Sequence, residues 1–212
     1  METMLSRSTD APVPLGEFVP EADDRIVMHG LDWAGYQSLL ALRGSERSCP
    51  RIAYLDGVAE LMTPSWNHEH ITSNLGRLLE VYFSELGIAW TAYRSWTPQK
   101  RIKKAGLEPD ECYLLGDHPD PARQKVPDLA IEVVWTSGGI DKLEIYRRLS
   151  VREVWFWQRG AITVFVLGSD GYRKRRSTLV PGVDLKLLFR MATVTPHSTA
   201  IARLRAALQR QK

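Results

Sequence analysis

The sequence predicts an α/β fold, a mixed central sheet with helices packed on its faces. Three observations carry that expectation. Apolar residues recur at helical spacing after Pro64, short strand-length apolar runs dominate residues 88–168, and one helical segment is threaded between two of those runs.

Taken in order, residues 1–25 (METMLSRSTDAPVPLGEFVPEADDR) have scattered prolines and little periodicity. They read as a flexible lead-in to a single domain over 26–212. LDWAGYQSLLALRG reads as a helix with Asp32 as its N-cap and Gly44 just past its end. RIAYLDGVAELM makes two short strands around Asp56-Gly57, a pair that tolerates the positive φ of a tight hairpin. The next helix sets Ile71, Leu75, Leu78, Leu79, Tyr82, Phe83 and Leu86 on one face and stops at Gly87.

IAWTAYRSW and LEPDECYLL read as strands separated by the basic QKRIKK, and GDHPDPARQK reads as a loop. DLAIEVVW, the helix IDKLEIYRRLS and VREVWFWQ have the makings of a β-α-β crossover, near the short limit for such a connection. AITVFVLG is a further strand, YRKRRS an edge strand, and STAIARLRAALQR a closing basic amphipathic helix.

The bulk numbers fit this picture. The 212 residues are 44% hydrophobic and 25% charged, enough for one domain with a core. A net charge of +3 permits a nucleic-acid partner without requiring one. Cys49 and Cys112 have no metal-type spacing, and no signal-peptide or membrane-spanning run is apparent, so a reducing cytoplasm is expected. No P-loop, dinucleotide-binding glycine pattern or Ser–His–Asp wording occurs, which sets nucleotide and redox cofactors aside.

The chemistry is concentrated in LAIEVVWTSGGIDKLEIY, residues 129–146. On a strand, Glu132 shares a face with Ala130 and Val134, while Leu129, Ile131 and Val133 point the other way. A buried carboxylate without partners would cost several kcal/mol, on the order of the penalty for an unpaired ion. Lys142 shares a helical stripe with Ile145, Tyr146 and Leu149, and helical side chains lean toward the N-terminus. Its ammonium therefore reaches back toward the end of the strand that holds Glu132.

Asp110, after Pro109, marks a strand entrance or edge, and it lies beside Glu132 if the two strands pair. Two carboxylates with nearby backbone carbonyls, that of Val133 among them, make a hard oxygen site suited to Mg²⁺, with Mn²⁺ as a substitute. With a lysine beside them, such a set fits hydrolysis of a phosphodiester. The competing explanation for Glu132 and Lys142 is a buried ion pair without catalytic duty. Asp128 repeats the Pro-Asp pair on Glu132's face and is either a rival first acid or a cap of the strand entry. Trp155 and Trp157 alternate onto one face and read as core, with base stacking as the alternative. The groups KRIKK and RKRR are solvated faces or phosphate tracks.

An acid after a proline, then a strand bearing a second acid with a lysine close by, resembles the PD-(D/E)XK nuclease superfamily. More narrowly, VAELMTPSWNHEHI, LEPDECYLLG and VPDLAIEVVWTSGGIDKLEIYRRLSVREVWFW are similar to the Putative restriction endonuclease family, over roughly residues 30–190. The resemblance implies a restriction-endonuclease-like fold and a Mg²⁺-dependent endonuclease acting on DNA, double-stranded in the first instance, often as a homodimer. It implies Asp110 and Glu132 as the metal-holding acids. The superfamily lysine normally sits two residues after the second acid, where this chain has Val134. In the similar family that lysine has migrated to the next helix, which matches Lys142. Glu60 and His68 fall on the family's hairpin and helix-start motif and are supporting candidates, an extra metal ligand and a water or phosphate contact. Without the resemblance, Glu60 reads as an edge acid, and His68 as a capping or surface residue. The rival expectation is a nuclease-fold module that binds nucleic acid or a protein partner with little or no turnover.

Overall fold

A computed structural model of the chain describes residues 22–44, 49–93, 96–117, 120–135, 139–158 and 161–210. Of the expected lead-in, residues 1–21 lie outside these, and Asp24 already opens the first strand.

The expected mixed sheet has six strands: β4 (Trp90–Ala92), β7 (Glu111–Leu115), β8 (Leu129–Val133), β9 (Glu153–Gln158), β10 (Ala161–Gly168) and β11 (Gly171–Lys174). Their spatial order is β11-β10-β9-β8-β7-β4. Only β8 and β9 run parallel, joined by the crossover helix α4 (Lys142–Leu149), while the other pairs are antiparallel. Strand β8 is buried along its whole length, as its near-continuous apolar run requires.

A second sheet accompanies this one and was not foreseen. It orders β1 (Asp24–His29), β3 (Val58–Thr63), β2 (Arg51–Leu55), β6 (Ala105–Gly106) and β5 (Gln99–Lys100). The hairpin β2–β3 turns at Asp56 and Gly57, whose φ values of 45° and 91° give the paired positive φ of a type I′ turn. Helix α1 (Trp33–Arg43) has the expected Asp32 cap and packs Tyr36 against Ile52, Tyr54 and Ala59 on the outer face of this sheet.

Helix α2 (Trp66–Leu86) is capped by Ser65 and stops at left-handed Gly87. With α5 (Leu185–Ala192) and α6 (His197–Gln209) it covers one face of the six-stranded sheet. That core takes in Leu129, Ile131, Val133, Trp155 and Trp157, so the two tryptophans fill space and offer no stacking surface. The closing helix α6 packs Ala200, Leu204 and Leu208 into the same core and leaves its arginines outside. Within GDHPDPARQK, Pro121–Gln124 form a single helical turn, α3.

The opposite face of β8 and β9 meets α4. Ala130, Val154, Ile145, Tyr146 and Leu149 form one cluster there with Ala53 of β2, Ala105 of β6 and Leu107. Helix α4 is therefore wedged between the two sheets, and its N-terminus sits at the end of β8.

Candidate active site

Register brings the two acids together. Glu111 pairs with Ile131 and Cys112 with Ala130. One step further in the same antiparallel ladder sets Asp110 opposite Glu132, on the face toward α4. The Val133 N–H fastens this arrangement by donating to Asp110 Oδ2 at 2.7 Å. Asp110 is 3% exposed and Glu132 not at all.

Lys142 comes from the first turn of α4, which Asp141 caps by accepting from the Glu144 N–H. Its Nζ donates to Glu132 Oε2 at 2.5 Å. One turn on, the Tyr146 hydroxyl donates to Glu132 Oε1. Burial, and then the Glu132 charge, push the Tyr146 hydroxyl well above its ordinary range, which keeps it a donor.

The second sheet and the start of α2 complete the cluster. Strand parity puts Arg51 and Ala53 of β2 on the inner face with Glu60 of β3, which is registered opposite Ala53. Arg51 pairs through Nη1 with Asp110 and through Nη2 with Glu69 at 3.0 Å. His68 is completely buried, with Nδ1 3.1 Å from Asp23 Oδ2 and Nε2 3.1 Å from Asp110 Oδ2. Burial works against ionisation of Asp23, but hydrogen bonds from His68 and the Ser65 N–H hold its carboxyl well below the usual carboxylate range.

Glu60 Oε2 accepts from the Ile140 N–H at 3.1 Å and lies 3.7 Å from Arg25 Nη1. This approach depends on Gly139, whose φ is +95° and where a Cβ would sit 1.8 Å from that same oxygen. Glu60 thus ties down the chain entering α4 and, with it, Lys142. Arg51, Glu60 and Lys142 line one gap of about 10 Å³, the room of a single water. Past Lys142 the same sheet face opens into a cleft of about 310 Å³ lined by residues of β8, β9, β10, β11 and the start of α4.

All five expected side chains (Glu60, His68, Asp110, Glu132 and Lys142) therefore meet in one place. One reading needs correction, and of the two readings of Asp128 its place favours the strand-entry cap. His68 is not a surface or capping residue; Ser65 caps the helix, and the imidazole bridges two acids. Asp128 lies at the far end of β8, where it accepts from the Leu115 N–H at 3.0 Å and pairs with Arg152 at 3.2 Å, tying β7, β8 and β9 together. Val133, expected to offer its carbonyl, enters the described contacts with its N–H.

Three contributors escaped the sequence reading. Tyr146 lies one helical turn after Lys142, a spacing that points to a shared target. Arg51 alternates with Ala53 on an inner face, a signal visible only once the hairpin is placed. Asp23 falls in a Pro-containing polar stretch with no signal at all.

Among the described residues no group of three or more His, Cys, Asp and Glu side chains is arranged to hold a metal ion. Mg²⁺ does not need one, because it commonly keeps its waters and binds through one or two carboxylates plus substrate phosphate. Asp110 and Glu132 supply that pair of hard oxygen donors. Their oxygens are engaged by Arg51, His68, Lys142 and Tyr146, so a cation there competes with those donors.

Of the two basic stretches, Arg101, Lys103 and Lys104 are exposed away from this cluster, whereas Lys174 lines the cleft. No helix among the described residues is long and apolar enough to cross a membrane. The profile of the Uma2 family, described as Putative restriction endonuclease, matches residues 33–195, from α1 to the segment before α6. No curated protein matches the chain.

Proposed function

The chain belongs to the Uma2 family, Putative restriction endonuclease, and on that premise we propose that it is a metal-dependent endonuclease hydrolysing phosphodiester bonds in DNA. One observation carries the reading: Lys142 Nζ stands 2.5 Å from Glu132 Oε2, on the strand end where Asp110 continues the register beside Glu132. The constellation corresponds to a PD-(D/E)XK site in which the lysine has moved from the strand position, here Val134, to the following helix.

Asp110 and Glu132 would hold Mg²⁺ or Mn²⁺. Such an ion polarises a phosphate oxygen and lowers the pKa of a bound water. The protein's own groups do the rest. Lys142 places fixed positive charge where the scissile phosphate gains negative charge, or orients the attacking water. Tyr146 and Lys142 together set the rotamer of Glu132. Arg51 and His68 hold Asp110, and Asp23 in turn orients the His68 ring through Nδ1, as a second carboxylate does for many functional imidazoles. Glu60, bound to the backbone before α4, keeps the lysine in reach.

A second reading has its own support. Each acid is already matched by cationic or hydroxyl donors, which suits a binding module of low turnover. Cleavage of plasmid DNA in Mg²⁺ and Mn²⁺ separates the two. Nuclease activity lost in Asp110→Asn, Glu132→Gln and Lys142→Met, with unchanged circular dichroism, is the expected result. Salt-sensitive DNA binding without cleavage in either metal would establish the binding module instead.

A further inference from the structure

The cleft beyond Lys142 does no work in the hydrolysis as described, yet it is continuous with the site. Four side chains that line it, Phe156, Thr163, Phe165 and Lys174, come from one sheet face. Glu132 pairs with Phe156 in the parallel register, Phe156 with Thr163, and Phe165 with Lys174. Registered partners project to the same side, so this face runs from the acid to the aromatic pair and on to Lys174. Helix α4 packs over Ala130 and Val154 and against one side of Phe156. Past its N-terminus the same face, among the described residues, lines the cleft.

The lining has a consistent chemistry. Phe156 and Phe165 meet edge to face, with centroids 5.6 Å apart, and both are half-buried. Lys174 Nζ stands over the Phe165 ring, 5.8 Å from its centroid, and among the described residues it makes no ion pair. Gln158 and Thr163, an amide and a hydroxyl side chain, line the same space. Arg25 and Lys142 close the end nearest the acids. Among the described lining residues the one acid, Asp141, is occupied as the α4 cap. A cleft of about 310 Å³ is at the small end of ligand sites, which run from about 300 Å³.

An aromatic floor, amide and hydroxyl groups at its side and cations at both ends match one nucleotide: base on ring, base edge on Gln158 and Thr163, phosphates on the cations. A base inside an intact duplex stack cannot reach such a floor. We infer that the cleft receives a single unstacked nucleotide adjoining the scissile phosphate, so that the substrate is DNA with an unpaired base at that place rather than uniform duplex. This rests on the nuclease reading of the neighbouring acids. Gln158 and Thr163 become specificity-determining residues, and Phe165 and Lys174 binding residues.

The test uses the full chain and three fluorescent oligonucleotides: a matched duplex, the same duplex with one unpaired nucleotide, and the single strand. Binding is read in EDTA, so that cleavage does not enter. The native protein is expected to prefer the unpaired and single-stranded probes over the matched duplex. Phe165→Leu keeps apolar volume but removes the ring. It is expected to cut that preference roughly tenfold, the scale of one lost base–aromatic stack. Lys174→Ala should weaken binding of every probe and flatten its salt dependence. Thermal melting establishes that each variant folds, and Phe156→Leu gives a second route should Phe165→Leu not fold. Equal affinity of the native protein for all three probes, or a preference untouched in the folded variants, would overturn the inference. Metal-dependent cleavage abolished by Lys142→Met would leave the nuclease reading standing in that event. Probe preference without any cleavage would sink the nuclease reading and keep the cleft assignment.

Discussion

Glu132 and Glu153 stand on adjoining strands of one sheet, both without solvent exposure, and their surroundings differ in kind. Glu153 faces α2. It accepts from the Trp155 indole at 2.6 Å, from the Thr178 N–H and hydroxyl at 2.9 and 3.2 Å, and from the Leu179 N–H at 3.3 Å. All four donors are neutral, and two belong to the backbone, so this carboxylate pins the segment after β11 onto the sheet. Glu132 faces α4 and is held by a lysine and a tyrosine from one helix, at the edge of an open cleft. Burial of a carboxylate is thus no mark of a site. What separates the two is whether the donors are fixed neutral groups that complete a fold or side chains that can be shared with a substrate.

The comparison can be broken most sharply by removing both charges at Glu132. The double variant Glu132→Gln/Lys142→Met is expected to lose cleavage by about 1,000-fold or more, the scale of removing preorganised charge from a transition state. Its melting temperature should be unchanged or higher, because replacing both members of a buried ion pair is often neutral or stabilising. Unfolding of that variant would make Glu132 as structural as Glu153. The mirror experiment is Glu153→Leu, which strands the Thr178 and Leu179 amides and the Trp155 indole. Urea unfolding should show a loss of about 3 kcal/mol, within the range for buried donors left unsatisfied. Cleavage per folded molecule should persist.

A smaller effect sharpens the Glu132 side. Gly139→Ala puts a Cβ against Glu60 and strains a φ of +95°, which should shift α4 and Lys142. A stability loss of about 1–3 kcal/mol is expected from the strain, with a fall in cleavage rate that exceeds any change in DNA affinity. Single-turnover kinetics beside a binding titration would show whether that split occurs.

The smallest effect concerns the outer end of α4. Arg148 ties the helix to the hairpin turn at Asp56 and to Glu144. Hydrogen bonds from Arg147 and Arg148 lower the Glu144 carboxyl to about 2, and the one from Arg148 lowers Asp56. Both groups have folded values below their unfolded ones. Their stabilisation is therefore present above the ordinary carboxylate range and lost as pH falls through it toward about 2. Melting temperature against pH should show that acid limb, and Glu144→Gln should flatten it while lowering stability at pH 7 only by the limb's own small height, as for an exposed pair.

Local order was legible because it is written locally. The stripe from Ile71 to Phe83, the Asp56-Gly57 turn and the caps at Asp32 and Gly87 each specify their element through a few neighbouring residues. Strand β1 was overlooked because its residues are mostly exposed and carry no alternation, and α5 because its apolar face is a short run in an unassigned stretch. Within the cluster, Glu132 and Lys142 could be joined from the sequence since one turn connects their elements. The Arg51 and Asp23 contributions could not, since the groups they meet, Asp110 and His68, stand far from them in the chain.

The sequence by itself determined most of the secondary elements, the α/β class and the convergence of an acid and an amine at one strand end. These depend on periodicity, turn chemistry and the fixed lean of helical side chains. Only the tertiary structure decided that a second sheet closes over α4, that His68 is locked between two acids, and that an aromatic cleft opens beside Lys142. Those outcomes depend on which apolar faces find each other, and a strand's pattern states that it must be covered without stating by what.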